Sequence, residues 1–204
     1  VALNRRTIMV GATTAVIWLG LEQPAGAQNR PLLPMRVVVY DYTDTVPATL
    51  QRAQEVVSRI FREIDVDTIW LDRARFSRDM PADHADRRAF VASVIYVSLL
   101  PPAMHKSLGR KSSVLGGAGS NTRRIWISLS RVDRMARLAK IATGDVLAQV
   151  LAHEIAHVLM PGDSHALTGL MQRALDPELI AHNRLSFRAH EAEQIRTGLA
   201  GLPQ

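Results

Sequence analysis

The stretch His153-Glu154-Ile155-Ala156-His157 constrains this chain more than any other. Residues four apart on a helix lie on one face, so the two imidazoles can offer nitrogens to one metal ion. The carboxylate of Glu154 stands next to the first imidazole and can accept a proton from a water at that ion. The surroundings favour a helix: residues 145–152 lead into the motif with good helix formers, and Val146, Val150 and Leu151 fall at helical spacing. Thr143 or Asp145 is expected to cap its start, and Pro161-Gly162 to stop it with a left-handed turn.

Cysteine is absent, which excludes disulfides, thiolate ligands and a cysteine nucleophile. A metal site here is built from imidazole, carboxylate and water. A catalytic zinc site takes three protein ligands and keeps one position open. Downstream of His157 two residues compete for the third place, Asp163 and His165.

The segment from His153 to Met171 resembles the metzincin clan of zinc peptidases, whose pattern is HExxHxxGxxH. By plain count Asp163 falls on the clan's third-ligand position and Met160 on its glycine. Allowing Met160-Pro161 as a two-residue insertion, Gly162-Asp163-Ser164-His165 restores G-x-x-H. The resemblance favours His165 as third ligand to one Zn²⁺, with Asp163 as the alternative. Thr168-Gly169-Leu170-Met171 then resembles the clan's methionine turn, with Met171 as an apolar floor beneath the metal; ordinary core packing is the other role for a methionine there.

The resemblance extends to exported bacterial zincin-like proteins and implies a zinc-dependent endopeptidase with Glu154 as general base and a peptide or protein substrate. Two other functions stay open: a non-catalytic zinc-binding module of the cell envelope, and a zinc hydrolase of a non-peptide bond. A structural zinc site usually takes four protein ligands and has no need of Glu154. No tyrosine follows Tyr96, so Arg173, His182 and Arg184 are the candidates for stabilising an oxyanion. His84, His105, His182 and His190 have no ligand spacing and are expected to be surface or hydrogen-bonded histidines.

The N-terminus reads as an export signal. Asn4-Arg5-Arg6 is basic, residues 7–21 are apolar, and Ala25-Gly26-Ala27 fits a cleavage site. Residues 1–27 are thus expected to be a signal peptide, Sec-type or twin-arginine, and 28–204 one zincin-like domain, periplasmic or secreted. The apolar run is short and glycine-broken for a membrane span. The net charge is +6, but aromatics are 5% and the basic residues are scattered, so no specific nucleic-acid platform is expected.

Along the rest of the chain, 36–41 and 67–71 read as strands and 46–64 as a helix. Thr45 is its expected cap, Pro47 lies in its first turn, and Leu50, Ala53, Val57, Ile60, Phe61 and Ile64 share one face. Residues 72–89 read as charged loop, 91–99 as a central strand ended by Pro101-Pro102, and 124–130 as an edge strand, the candidate for pairing with substrate. Residues 116–120 lack the lysine and following helix of a phosphate loop and read as a loop rimming the cleft. Residues 131–140 read as a short helix or turn and 187–199 as a last helix. The order implies an α+β, zincin-like architecture: a twisted mixed sheet, two supporting helices of which one carries the motif, and a small C-terminal subdomain.

Overall fold

The computed structural model of the protein describes residues 31–203, apart from 108–113, 120–121, 161, 163–164, 176 and 183–184. The expected signal peptide and the alternative ligand Asp163 lie outside the described residues, as does Arg184. The elements run β1 (Leu33–Asp41), α1 (Pro47–Arg62), β2 (Val66–Leu71), α2 (Arg73–Arg78), α3 (His84–Ser93), β3 (Val94–Leu100), α4 (Pro102–Ser107), β4 (Gly116–Gly119), β5 (Arg124–Ser128), α5 (Leu129–Ala139), α6 (Thr143–Leu159), α7 (Pro177–Ala181) and α8 (Ala189–Ala200). Among the described residues no helix is long and apolar enough to cross a membrane.

The strands form one twisted mixed sheet in the order β2-β1-β3-β5-β4. The first four pair in parallel and β4 pairs antiparallel to β5. Alternation along the strands sends Met35, Val37, Ile95, Val97, Ile125 and Ile127 to one face, where they meet Val57 and Phe61 of α1 and Leu147, Leu151 and Ile155 of α6 in one core. These are the two supporting helices expected from the sequence, and their core fixes α6 against the sheet. Pro47 stands in the first turn of α1, where a missing N–H is harmless.

The other face carries a smaller cluster of Val38, Leu71 and Val94, covered by Phe76 and Phe90. These belong to α2 and α3, so residues 72–89 are not the expected loop. Asp72 accepts from the backbone N–H of Arg75 (2.6 Å), and Asp83 from those of Ala85 and Asp86 (2.7 and 3.1 Å). Two aspartate caps and two phenylalanine anchors suffice to fold a segment whose other residues are mostly exposed and polar. The helix takes residues 91–93, so the central strand starts at Val94.

The expected caps are corrected as well. Thr45 is held in a turn, its N–H bonded to Asp41 Oδ2 (2.8 Å), and Val46 precedes α1 without a side-chain cap. Burial alone would raise the pKa of Asp41, but bonds from Thr43 and Thr45 outweigh it and hold its carboxyl below the usual value. Ala142 precedes α6. Thr143 Oγ1 instead donates to Asp133 (3.0 Å), and Asp145 pairs with Arg52 of α1 (2.8 Å). Asp145 still lies in the first helical turn, where a carboxylate suits the helix dipole.

Residues 124–130 are not the sheet edge. They supply β5, which lies between β3 and β4, and the first turn of α5. The edge is β4, formed by the glycines expected to be a loop. Gly116 lies against Glu154 and Gly117 against the Trp126 indole, so side chains at either position would meet those groups.

The chain after α6 is mostly irregular until α8, whose Ile195 and Leu199 return to the main core. A Cβ at Gly198 would overlap the Leu159 carbonyl oxygen, so this glycine lets α8 cross the end of α6 in backbone contact. The helix begins at Ala189 rather than at Phe187, because the Glu191 carboxylate binds the N–H of Arg188 (2.8 Å) as a capping residue does. Phe187 instead packs on Phe61, with ring centroids 5.3 Å apart.

Candidate metal centre

The last two turns of α6 present His153, Glu154 and His157, all buried. The helical spacing places the two imidazoles together, with their Nε2 atoms 3.0 Å apart. The helix ends after Leu159, and Gly162 adopts φ +83° as the chain turns. His165 lies back beside the helix, its Nε2 3.3 Å from that of His157. His165 is the least buried of the three, and one ligand atom from each lies within 4.8 Å of the others. Among the described residues this is the one group of three or more His, Asp or Glu able to hold a metal ion.

The donor set fits zinc. Ligands at Zn–N of about 2.0–2.1 Å on a tetrahedron stand about 3.3 Å from one another, close to the His153–His157 and His157–His165 spacings here. Three imidazoles and no thiolate leave one tetrahedral position for a non-protein ligand. His153 is fixed from behind, with Nδ1 2.8 Å from the Leu170 carbonyl oxygen. A carbonyl only accepts, so Nδ1 carries the proton and Nε2 keeps its lone pair for the metal.

The Leu170 carbonyl belongs to the turn expected as the methionine turn. Gly169 has φ +83°, the Leu170 N–H donates to Ser186 O (3.1 Å), and the Ala166 N–H donates to Met171 O (2.8 Å). The turn thus ties the residue after His165 to the residue after Leu170, and Met171 is buried in the main core.

Glu154 faces the other way, toward β4. A Cβ on Gly116 would stand 3.1 Å from Glu154 Cγ, 3.2 Å from its Oε1 and 3.2 Å from the Trp126 carbonyl oxygen. The edge strand is therefore in close contact with the carboxylate. Sequence reasoning missed this glycine and the Leu170 carbonyl. Two adjacent glycines before a strand were a usable signal for close approach; a backbone carbonyl leaves none.

The remaining candidates are dispersed. His182 is exposed and its Nδ1 bonds the Glu178 carbonyl (2.7 Å), while Arg173, His84 and His190 are exposed. His105 is buried, and its Nε2 lies 3.1 Å from Arg131 Nη1.

No family model matches the chain, and no curated protein matches it. Solved structures do. A zinc-dependent peptidase from Methanocorpusculum labreanum is 17% identical, covers 78% of this chain and 99% of its own, and superposes with a TM-score of 0.51. Archaemetzincin from Methanopyrus kandleri is 16% identical over 87% of this chain and 98% of its own, with a TM-score of 0.47. The likeness to the first shows the fold, which is zincin-like.

Proposed function

We propose that this chain is a zinc-dependent endopeptidase. The observation that carries the reading is the convergence of His153, His157 and His165 within 4.8 Å on the helix that also carries buried Glu154. Three protein ligands suit a catalytic zinc site, whereas a structural site would take four. Zinc held there supplies Lewis acidity, which lowers the pKa of water and polarises a carbonyl oxygen.

Glu154 acts as general base: its carboxylate accepts a proton from the attacking water and returns it to the leaving amine. The hydrogen bond from His153 Nδ1 to Leu170 O keeps Nε2 aimed at the site. The sheet edge supports a peptide substrate, and its candidate is now β4 rather than residues 124–130. Among the described residues no strand pairs with its outer side, and its α6 face lies against Glu154 at Gly116. An extended peptide can add there through backbone hydrogen bonds. Such pairing engages the interior of a chain, which suits an endopeptidase.

The test is cleavage of a mixed peptide library by the purified protein and by Glu154→Gln, with zinc measured in both. Equal zinc is expected, with turnover about 10²–10⁴-fold lower in the variant. Equal zinc with no cleavage by either protein would overturn the peptidase reading. Residues 1–27 support export, and N-terminal sequencing of envelope or secreted material should then begin at Gln28.

A further inference from the structure

The edge strand beside the catalytic carboxylate has almost no side chains of its own, and Trp126 occupies the place of one of them. The Ser128 N–H donates to Leu115 O (2.8 Å), which makes these residues a hydrogen-bonded antiparallel pair. Alternation then turns the backbone groups of Gly117 toward Trp126, its register partner, and those of Gly116 and Ala118 toward the outer edge. The faces alternate too. Gly116 looks toward α6 and Glu154, whereas Gly117 looks to the opposite face, where a Cβ would overlap Trp126 Cζ2 and Cε2. The indole of β5 therefore lies across β4 at the position a residue-117 side chain would fill.

The ring is held from its own side of the sheet. His105 of α4 packs edge-on against it, with centroids 5.0 Å apart and planes at 68°. Arg131 Nη1 lies 3.1 Å from His105 Nε2 and donates to Val114 O (2.8 Å). A guanidinium only donates, so Nε2 accepts. One arginine thus links the histidine behind the indole to the chain entering β4.

Resting on the peptidase reading, we infer that Trp126 is the wall of a substrate subsite that takes a large apolar or aromatic side chain. A peptide added to the outer edge of β4 lies about 5 Å from it, and its side chains alternate between the two faces. Those on the α6 face meet Glu154 and the metal ligands. Those on the other face find no β4 side chain beside them, and the indole reaching across Gly117 is the surface they meet. Trp126 is a specificity-determining residue in this arrangement, and takes no part in proton transfer.

The experiment is binding of labelled hexapeptides, in which a single Phe is moved along an alanine-serine background, to the zinc-loaded full chain carrying Glu154→Gln. The same series is measured with Trp126→Leu and Trp126→Phe added. One Phe position should tighten binding by about tenfold, falling to about twofold with leucine and lying between with phenylalanine at 126, since an aromatic pair adds to what burial alone contributes. Near-ultraviolet circular dichroism and zinc content establish folding; if Trp126→Leu does not fold, Trp126→Phe decides alone. A Phe preference unchanged by both substitutions, or binding of every peptide without a Phe preference, would overturn the subsite and leave the peptidase reading standing. Absence of binding by all peptides, with no cleavage by the unsubstituted chain, would overturn both.

Discussion

The candidate metal centre has two halves built on different principles. One is α6, a helix of 17 residues that carries His153, Glu154 and His157 and is buried along almost its whole length. The other is the irregular chain from His165 to Met171, held by a few backbone hydrogen bonds and a glycine at positive φ. In the helix, each site residue is placed by the core that packs the same element against α1 and the sheet. In the irregular half Leu170 and Met171 are anchored in that same core, whereas His165 and the turn at Gly169 are held by few contacts. Two contacts join the halves, His165 to His157 and Leu170 O to His153. The helical half is thus pre-organised by the fold, whereas in the other half the segment around His165, outside the core, depends more on the centre it helps to build.

The largest expected effect breaks the helical half. Replacing His157 removes the imidazole that touches both other ligands. His157→Ala should therefore weaken zinc affinity by more than the 10–100-fold typical of an outer partner, measured by competition with a chromophoric chelator. Helical circular dichroism should stay unchanged. His165→Ala should also lose zinc, while Asp163→Ala keeps it. The reverse result would move the third ligand to Asp163.

Metal removal sharpens the contrast. Zinc at about 100 times its Kd stabilises the folded state by about 2.7 kcal/mol, worth about 5–10 °C in Tm for a domain of this size. A chelator should reverse that shift. Hydrogen exchange should then quicken mainly in residues 165–172, with the amides of α6 remaining protected. Equal loss of protection in both halves would mean that the core of α6 does not hold the helical ligands by itself.

The same difference explains what the sequence made legible. Helical periodicity placed His153, Glu154 and His157 on one element, and the face of α1 followed from Ala53, Val57, Ile60 and Phe61. The strands β1 and β3, interior to the sheet, were evident because buried parallel strands read as apolar runs. His165 was reached only through a family spacing, since no local periodicity governs a chain held by single hydrogen bonds. Residues 72–89 were misread because two phenylalanines and two aspartate caps are a faint signal among many charges. The reversed roles of β4 and β5 have a different origin. Alternation in Ile125, Trp126 and Ile127 reports two unlike faces and says nothing about edges, and a strand of glycines carries no hydrophobic pattern at all.

Gly169 tests the irregular half by backbone alone. Gly169→Ala puts a Cβ 3.2 Å from Ser186 O at φ +83°. The left-handed backbone costs an alanine about 1–2 kcal/mol. A turn relaxed by that strain would carry the Leu170 carbonyl away from His153. The expected outcome is a zinc affinity about tenfold weaker, within the range for an outer partner, together with a modest fall in Tm. A fall in Tm with no change in zinc affinity would show that the turn does not orient His153.

The smallest expected effect lies on the helical half's far side. Gly116→Ala adds one methyl group 3.1 Å from Glu154 Cγ and 3.2 Å from the Trp126 carbonyl. The backbone oxygen is fixed by the sheet, so the side chain of Glu154 must move by a few tenths of an ångström. A Cβ at Gly116 meets Glu154 and not the imidazoles, which are held by the Leu170 carbonyl and His165, so zinc affinity should be unchanged. Turnover should fall about tenfold, less than the ~10²-fold that follows a 1 Å misplacement. If kcat is unchanged, the carboxylate tolerates displacement and its position is set by the metal site. If zinc affinity falls with kcat, β4 supports the ligands as well as the base, and the helical half is less self-sufficient than its burial implies.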